Sequence, residues 1–372
     1  MPSALKGLKV LDFSTLLPGP FASMYLADMG AEVIHIESPT RPDLVRIMPP
    51  YANGQATAHS YLNRNKQSIA LDLKEAANIE MIRNKISEFD ILLEQFRPDV
   101  MRRLGLDYET LAEINPRLIY CSITGYGQTG TYKDRAGHDI NYLALAGVSG
   151  HSGRQDGGPP PLGIQIADVA GGSLHAVIGI LAAVVERQRS GMGQYIDISM
   201  TDCVVSLNSM AASASLAGQT PQGPEQGMLN GAIFYDYYET KDGRYFSVGS
   251  LEPQFMTGLA AALDLPILMA KGSSFDPEDR QAIKKALKEK FSSKDFAEWQ
   301  SIFSQLDICV EPVLSLDEAL TSPIAKQRGW VVDVPLSENT DQTEPQLACP
   351  IKFSRSQMRY QFIGQGLGQG KW

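Results

Sequence analysis

The sequence predicts an α/β protein with a doubly wound parallel sheet in a large domain and a smaller α+β domain. Two observations lead to this class. Short apolar segments alternate with helical patterns over the first two hundred residues, which is typical of parallel strands joined by helices. The chain has 372 residues, more than one small core needs, so two domains are expected.

The first strand–helix–strand unit lies at the start of the chain. Residues 7–13 form a short buried strand, residues 21–29 have helical spacing, and residues 31–37 form the next strand. This unit predicts a Rossmann-like arrangement of parallel strands. The turn at 18–20 reads Pro-Gly-Pro and lacks the G-x-G-x-x-G pattern. Its prolines remove N–H donors that a pyrophosphate needs, so we expect no nicotinamide site there.

The alternation continues to about residue 217. The helix at 171–187 is apolar nearly all round, which predicts a buried core helix, and no apolar run is expected to cross a membrane. The predicted strands cover 62–72, 89–94, 118–123 and 194–199, and the predicted helices cover 76–87, 171–187 and 201–217.

A stretch rich in Gly, Pro and Gln, residues 218–231, predicts the domain boundary. We therefore expect a large domain over 1–217, a small α+β domain over 218–329, and a return to the large domain over 330–372. The tail after Gly364 is rich in Gly and Gln, which predicts a loose segment.

The small domain begins with a hairpin pattern and continues with helices. Its two strands, 234–240 and 244–248, flank a Lys-Asp-Gly turn. Ser293 is the predicted N-cap of the last helix. The predicted helices cover 253–263, 277–291 and 294–305.

Composition excludes several classes of protein. The net charge of −9 argues against nucleic-acid binding, because neutralising phosphates requires a basic face. The first residues lack the apolar core of a signal peptide. The four cysteines lie far apart and fit no metal spacing, so we expect buried free thiols in a cytoplasmic protein without a metal.

His138 lies in the stretch Gly137–Tyr142 at the predicted start of a helix. Free backbone N–H groups and the positive end of the helix dipole gather there and favour a developing negative charge. An imidazole that accepts a proton beside such donors is suited to forming an enolate. A structural histidine is the competing interpretation.

Asp168 follows thirty residues later, among apolar and small residues. It is a candidate acid or nucleophile, or the N-cap of the helix that opens at Gly171. Glu252 precedes Pro253 at the start of another helix, where it is either a cap or the group that orients an imidazole.

Basic side chains cluster in the first hundred residues, at Arg64, Lys66, Lys74 and Arg97. Single basic residues are usually solvated surface groups. Several on loops at one end of a parallel sheet could instead form an anion-binding funnel.

Many short motifs, in order, resemble those of the class III coenzyme A transferase superfamily, most closely its α-methylacyl-CoA racemase branch. The resemblance runs from Leu5 to about Ser354. Its main landmarks are LPGP at 17–20, DMGAEV at 28–33, LNRNK at 62–66, FRP at 96–98, GYGQTG at 125–130, GHDINY at 137–142, GMGQ at 191–194, YDYYE at 235–239 and EPQF at 252–255.

The resemblance implies a catalytic set of His138, Asp168 and Glu252 and a 2-methylacyl-CoA substrate. CoA is then part of the substrate, and no separate cofactor is implied. The transferases of this family use an aspartate that matches Asp168, so CoA transfer between carboxylic acids through an Asp168 anhydride is the alternative activity.

The resemblance also implies contacts with CoA and an oligomeric state. The implied contacts lie at Leu16, Arg64, Lys66, Leu73, Lys74, Arg97, Gly137, Asp139 and Tyr142. One departure is Ser38, where racemases often have an arginine, which makes Arg41 the candidate replacement. The family forms interlocked homodimers, so Glu252 is expected to approach His138 from the partner chain.

Overall fold

The computed structural model describes residues 3–274 and 276–372. These residues divide into two compact units. The first comprises the chain up to Ala146 together with Leu162–Ser209 and Pro323–Trp372, and the second comprises Gly147–Pro161 and Met210–Ser322. The boundaries differ from those expected, chiefly because the short segment 147–161 belongs to the second unit.

The strands of the first two hundred residues include the six that the alternating pattern predicts and two short ones, at 51–52 and 55–56, that it does not. The strands are β1 (Lys9–Asp12), β2 (Glu32–Glu37), β3 (Tyr51–Ala52), β4 (Gln55–Ala56), β5 (Lys66–Ala70), β6 (Ile91–Glu94), β7 (Ile119–Thr124), β8 (Tyr195–Ser199), β9 (Asp236–Glu239), β10 (Tyr245–Val248), β11 (Val310–Pro312), β12 (Val331–Pro335) and β13 (Thr343–Leu347).

The helices connect these strands. They are α1 (Pro18–Asp28), α2 (Thr57–Leu62), α3 (Ala76–Lys85), α4 (Val100–Leu104), α5 (Tyr108–Ile114), α6 (Asp139–Leu145), α7 (His175–Ser190), α8 (Met200–Leu207), α9 (Ser209–Leu216), α10 (Pro253–Leu263), α11 (Ile267–Lys271), α12 (Pro277–Phe291), α13 (Phe296–Phe303), α14 (Leu316–Thr321) and α15 (Pro323–Arg328), with a π-helix at Ala167–Leu174 and 3₁₀ turns at Leu44–Arg46, Ile86–Glu88 and Ser149–His151.

The first unit is built on a six-stranded parallel sheet of order β5-β2-β1-β6-β7-β8. Counted along the chain, this order is the doubly wound 3-2-1-4-5-6. The register pairs Val10 of β1 with Val33 on one side and Ile91 on the other. Strands buried on both faces need such apolar runs, and Val10 and Ile91 have no exposed surface. The predicted α/β class is confirmed.

The order in which successive strands are added to the sheet reverses between β1 and β6, the two central strands, which are themselves parallel. In doubly wound sheets this reversal opens a crevice at the carboxyl ends of the strands, because the adjoining connections run to opposite sides. The turn after β1 starts α1 with a proline in its first turn, as the Pro-Gly-Pro sequence predicts.

The apolar segment Ala167–Ser190 is one continuous helical stretch, long and apolar enough by length and composition to cross a membrane. The sequence underestimated its length. It packs against α1, α8 and β7 of the sheet unit. The expectation of full burial is wrong for one face, where Ile178 is 63% and Val185 is 52% exposed.

Two predicted elements, one helix and one strand, have different bounds in the structure. The helix predicted over 201–217 is two helices, because α8 ends at Leu207 and α9 begins at Ser209. The extended segment predicted from residue 62 begins only at Lys66, since α2 continues to Leu62.

The second unit contains the three-stranded antiparallel sheet β11-β10-β9 and the helices α10 to α14. Its core is aromatic: the ring of Tyr238 stacks on Phe291 with centroids 5.3 Å apart. The N-cap of α13 is Asp295, in a capping box with Glu298, and not Ser293. An acidic residue directly before the helix competes better for the free N–H groups.

The C-terminal segment is ordered against the first unit, so the predicted looseness is wrong. The Gly364 N–H donates to the Ser60 carbonyl (2.9 Å), and the Gly370 N–H donates to the Ser68 carbonyl of β5 (2.8 Å). The ring of Trp372 meets Phe89 edge-on at 6.3 Å. Specific partners fix a segment whose composition alone suggests flexibility.

The cysteines are free, as expected, but not uniformly buried. Cys121 and Cys349 are buried, Cys203 is half-buried and Cys309 is exposed. The expectation of buried thiols is therefore wrong for Cys309.

Candidate active site

His138 is the N-cap residue of α6, at the position that the helical spacing predicts. Its backbone N–H donates to the side-chain oxygen of Asn141 (3.0 Å), which fixes the first turn. The residue is exposed, so its imidazole is accessible from solvent. A histidine held at a helix start and open to solvent can exchange protons with a ligand.

Tyrosine side chains shape the backbone that carries His138. The hydroxyl of Tyr142 donates to the Gly137 carbonyl (2.5 Å), and Tyr126 meets the Tyr142 ring edge-on at 5.2 Å. A Cβ atom at Gly137 would lie 2.7 Å from the Tyr126 hydroxyl and 2.7 Å from the Tyr142 ring. The close approach of these rings therefore requires glycine before the histidine.

Asp168 lies in the first turn of the π-helix, and its backbone N–H is held by the side chain of Asp139. One oxygen of Asp139, Oδ1, accepts from the Ala167 N–H (2.6 Å) and the Asp168 N–H (3.1 Å). The alternative role of Asp168 as N-cap is not observed, because the helix begins at Ala167.

The surroundings of Asp168 make its carboxyl a weak acid. Burial and the negative charge of Asp139 raise its pKa, His138 opposes them, and the pKa is about 6. A carboxyl with this pKa is present in both protonation states near neutral pH. It can therefore donate a proton in one step and accept one in the next.

One cavity of about 500 Å³ brings His138 and Asp168 together. It opens at the reversal point of the sheet, where Leu16 follows β1, Arg97 follows β6 and Thr124 ends β7. The cavity is thus the crevice that the doubly wound topology provides for ligands. Of the predicted site residues, the lining includes Leu16, Arg97, Gly137, His138, Tyr142 and Asp168.

Arg64 is fully buried and paired inside the protein. Its guanidinium donates to both oxygens of Asp28 (3.0 and 2.6 Å) and to the Leu347 carbonyl (2.6 Å). The rings of Tyr61 and Tyr360 lie 4.9 and 5.1 Å from its carbon Cζ. The expectation that Arg64 belongs to an anion-binding funnel at the surface is therefore wrong. Its guanidinium instead connects α1, through Asp28, with β13, through Leu347.

Lys66 is also buried. Its ammonium donates to the Pro20 carbonyl (2.9 Å) and to the side-chain oxygen of Asn63 (3.0 Å), and it lies 3.6 Å from Asp12. Burial lowers its pKa to about 8, although Asp12 opposes this. The funnel expectation is wrong for Lys66 as well.

Further predicted positions outside the cavity lining are Leu73, Lys74, Arg41 and Asp139. The Asp139 carboxylate accepts from the Ala167 and Asp168 N–H groups. Leu73 packs against the apolar cluster of the first unit. Lys74 and Arg41 are exposed, and the Arg41 N–H donates to the hydroxyl of Ser38 (3.1 Å). The CoA contacts that the resemblance implies for these residues stay predictions.

Glu252 belongs to the second unit, where it precedes Pro253 at the start of α10. It occupies the N-cap position, but its side chain makes no capping hydrogen bond, and the residue is exposed. Its carboxylate is therefore not committed to the capping role. Its approach to His138 stays a prediction.

Sequence reasoning missed several residues of the cavity. Lys133 and Arg135 line it, a few positions before Gly137. Their proximity to GHDINY was a usable signal. Asp43 lies outside the lining and had no sequence signal: its carboxylate accepts from the N–H of the lining residue Leu16 (2.9 Å), which has a left-handed conformation with φ 62°.

Within residues 3–274 and 276–372, no group of three or more His, Cys, Asp or Glu side chains is placed to hold a metal ion.

Comparisons with known proteins agree on one family. The family model of CoA-transferase family III matches residues 5–368. Alpha-methylacyl-CoA racemase of Mus musculus is 41% identical over 330 residues, which are 87% of this chain and 81% of that protein. Succinyl-CoA:glutarate CoA-transferase of Homo sapiens is 33% identical over 336 residues, 89% of this chain and 76% of that protein. These relatives carry two different activities.

The solved structures show the same fold. The crystal structure of a CAIB/BAIF family protein from Brucella suis matches with a TM-score of 0.86 at 30% identity, over 99% of this chain and 97% of that chain. The orthorhombic form of Rv3272 from M. tuberculosis matches with a TM-score of 0.82 at 24% identity, over the same shares.

Proposed function

Since this chain belongs to CoA-transferase family III, we propose that it is an enzyme acting on acyl-CoA thioesters, and specifically that it racemises 2-methylacyl-CoA at Cα. One observation carries the proposal: an imidazole and a weakly acidic carboxyl, His138 and Asp168, line the same cavity. Two such groups are what proton exchange at a carbon centre requires.

The reaction passes a proton through the substrate. The neutral imidazole of His138 removes the α-proton and becomes an imidazolium, and the thioester becomes an enolate. Protonated Asp168 then delivers a proton to the opposite face of Cα and becomes a carboxylate. Starting from the other enantiomer, the carboxylate removes the proton and the imidazolium delivers one, so the two groups exchange roles.

Burial of Asp168 supports the acid role. A pKa of about 6 keeps part of the population protonated near neutral pH, whereas an ordinary aspartic acid would be almost wholly ionised. The enolate oxygen needs hydrogen-bond donors, and the N–H of Asp139 at the start of α6 is our candidate. Losing one such donor typically costs ~10²–10³ in rate.

The cations of the cavity suit an anionic ligand. Arg97, Lys133 and Arg135 line it, in a protein whose net charge is −9. We assign them to the phosphates of CoA. Glu252, supplied by the partner in a cytoplasmic homodimer, would accept the second N–H of His138 and orient the ring.

The test is solvent exchange at Cα. Wild-type protein incubated with (R)- or (S)-2-methylacyl-CoA in D₂O is expected to incorporate deuterium and produce the other enantiomer. His138→Asn should abolish inversion while retaining binding of the acyl-CoA and the circular dichroism spectrum. Full exchange and inversion by the folded His138→Asn variant would refute the role of His138.

CoA transfer between carboxylic acids is the second candidate, favoured by the position of Asp168 in the cavity and by the 33% identical transferase. In this reaction the Asp168 carboxylate attacks the thioester and expels CoA thiolate, which forms an acyl anhydride. Hydroxylamine added with an acyl-CoA would convert an anhydride at Asp168 to a hydroxamate, detectable by mass. A hydroxamate at Asp168 without Cα exchange would favour the transferase.

A further inference from the structure

The carboxylate of Asp139 connects the two segments that carry His138 and Asp168. Asp139 directly follows His138 and is the first residue of α6. Its Oδ1 atom accepts from the N–H groups of Ala167 (2.6 Å) and Asp168 (3.1 Å), the first two residues of the π-helix. Hydrogen bonds to an ionised acceptor are roughly twice as strong as neutral ones.

The covalent chain does not fix the distance between these two segments. Between Asp139 and Ala167 it passes through Gly147–Pro161, which belongs to the second unit. The first N–H groups of a helix also lack partners within the helix. The side chain of Asp139 supplies a partner for both, so it is a direct link between the start of α6 and the start of the π-helix.

Asp139 also adds a charge beside Asp168. After burial, this negative charge is the next cause that raises the pKa of Asp168, and His138 opposes it. Burial raises the pKa of Tyr142 to about 12, and the charge of Asp168 contributes to this. The neighbouring α1 and α8 contribute the uncharged Pro18 and Met200. The other charged side chains that line the cavity are Arg97 after β6 and Lys133 and Arg135 after β7.

We propose that Asp139 is a positioning residue: its carboxylate sets the gap between His138 and Asp168 across which the α-proton is transferred. Its charge also favours the protonated form of Asp168. The proposal rests on the proposed racemase activity. It differs from the CoA contact that the resemblance implies for Asp139, because the side chain acts through Asp168 and not on the substrate.

Two substitutions separate the link from the charge. Asp139→Asn keeps an oxygen that can accept both N–H groups and removes the charge. Asp139→Ala removes both. We expect Asp139→Asn to shift the pH limb of the exchange rate assigned to Asp168 to lower pH. We expect Asp139→Ala to lower kcat by about 10²-fold, since small misplacements of reacting groups cost that much, with KM changed less than threefold.

The readouts distinguish the possible outcomes. An unchanged pH limb in Asp139→Asn, with a higher KM and unchanged kcat in Asp139→Ala, would identify Asp139 as a CoA contact and overturn the proposal. A second readout needs no turnover: ¹³C NMR titration of the Asp168 carboxyl in the full-length protein, assigned with Asp168→Asn. We expect the pKa of Asp168 to fall in Asp139→Asn, and an unchanged pKa overturns the proposal.

The same titration keeps the two hypotheses apart. If the wild-type protein exchanges no α-proton, the proposed racemase function is refuted. The carboxyl titration would still decide whether the charge of Asp139 acts on Asp168. Circular dichroism spectra and thermal unfolding of both variants provide the folding control.

Discussion

Replacing Arg64 by methionine would leave the carboxylate of Asp28 buried without its cation. Asp28 and Arg64 both have side chains with no exposed surface, and their closest atoms are 2.6 Å apart. Methionine has a similar length and fills much of the volume. The substitution therefore tests the charge more than the packing.

The expected loss of stability is large. Breaking a buried ion pair by removing one partner costs about 3–5 kcal/mol, because the remaining charge stays desolvated. The Leu347 carbonyl and the Tyr61 and Tyr360 rings also lose their cation. Because the free energy of unfolding of typical proteins is about 5–15 kcal/mol, this loss is a large part of the total stability.

Urea unfolding at pH 7, followed by circular dichroism, measures the change. Arg64→Met should unfold at much lower urea, whereas exposed Arg41→Met should stay within about 0.5 kcal/mol of wild type. The double variant Asp28→Asn/Arg64→Met should recover part of the loss, because no unpaired charge remains. An unchanged midpoint in Arg64→Met, with a tenfold higher KM for acyl-CoA, would assign Arg64 to the ligand and refute this reasoning.

Two further predictions concern the cavity and its neighbourhood. Gly137→Ala should lower the rate of Cα exchange by about 10²-fold, because its Cβ would displace Tyr126 or Tyr142 beside His138. The control is Gly150→Ala, whose Cβ meets open space. Equal exchange rates for the two variants would contradict the packing argument. Burial raises the pKa of Glu94 from 4.5 to about 7. Its contribution to the free energy of unfolding is therefore fully present below pH 4.5 and is lost as the pH rises through 7, a difference that approaches about 3 kcal/mol. Glu94→Gln should remove this pH dependence of urea unfolding, and an unchanged pH dependence in the variant would contradict the argument.

The alternating pattern of the sequence predicted the parallel strands well because each strand has its own local signal. Residues 31–37 and 118–123 read as apolar runs, and they correspond to β2 and β7. The break between α8 and α9 and the order of the C-terminal segment were not predictable in this way. The C-terminal segment depends on hydrogen bonds between residues far apart in sequence, such as Gly370 with Ser68, and the continuous apolar pattern over 201–217 contains no signal for a break at Asn208.

Part of the site was also predictable. His138 could be placed at a helix start from spacing alone, and His138 and Asp168 line one cavity. The burial of Arg64 and Lys66 was not predictable, because the sequence around a basic side chain does not indicate whether it is buried. Asp28 lies 36 positions before Arg64, and only the folded chain shows that they pair.

Strand β5 ends the parallel sheet on one side, and the C-terminal residues lie along it. The open backbone of such a strand is a template for intermolecular pairing, which leads to aggregation. Here the Gly368 N–H reaches the Ser68 hydroxyl (3.1 Å) and the Gly370 N–H reaches the Ser68 carbonyl (2.8 Å). At Gly370 an added Cβ would lie 2.6 Å from the Ser68 nitrogen, so a bare backbone is needed for this contact. The tail thus occupies backbone and side-chain groups of β5 at Ser68 that would otherwise be open to another chain.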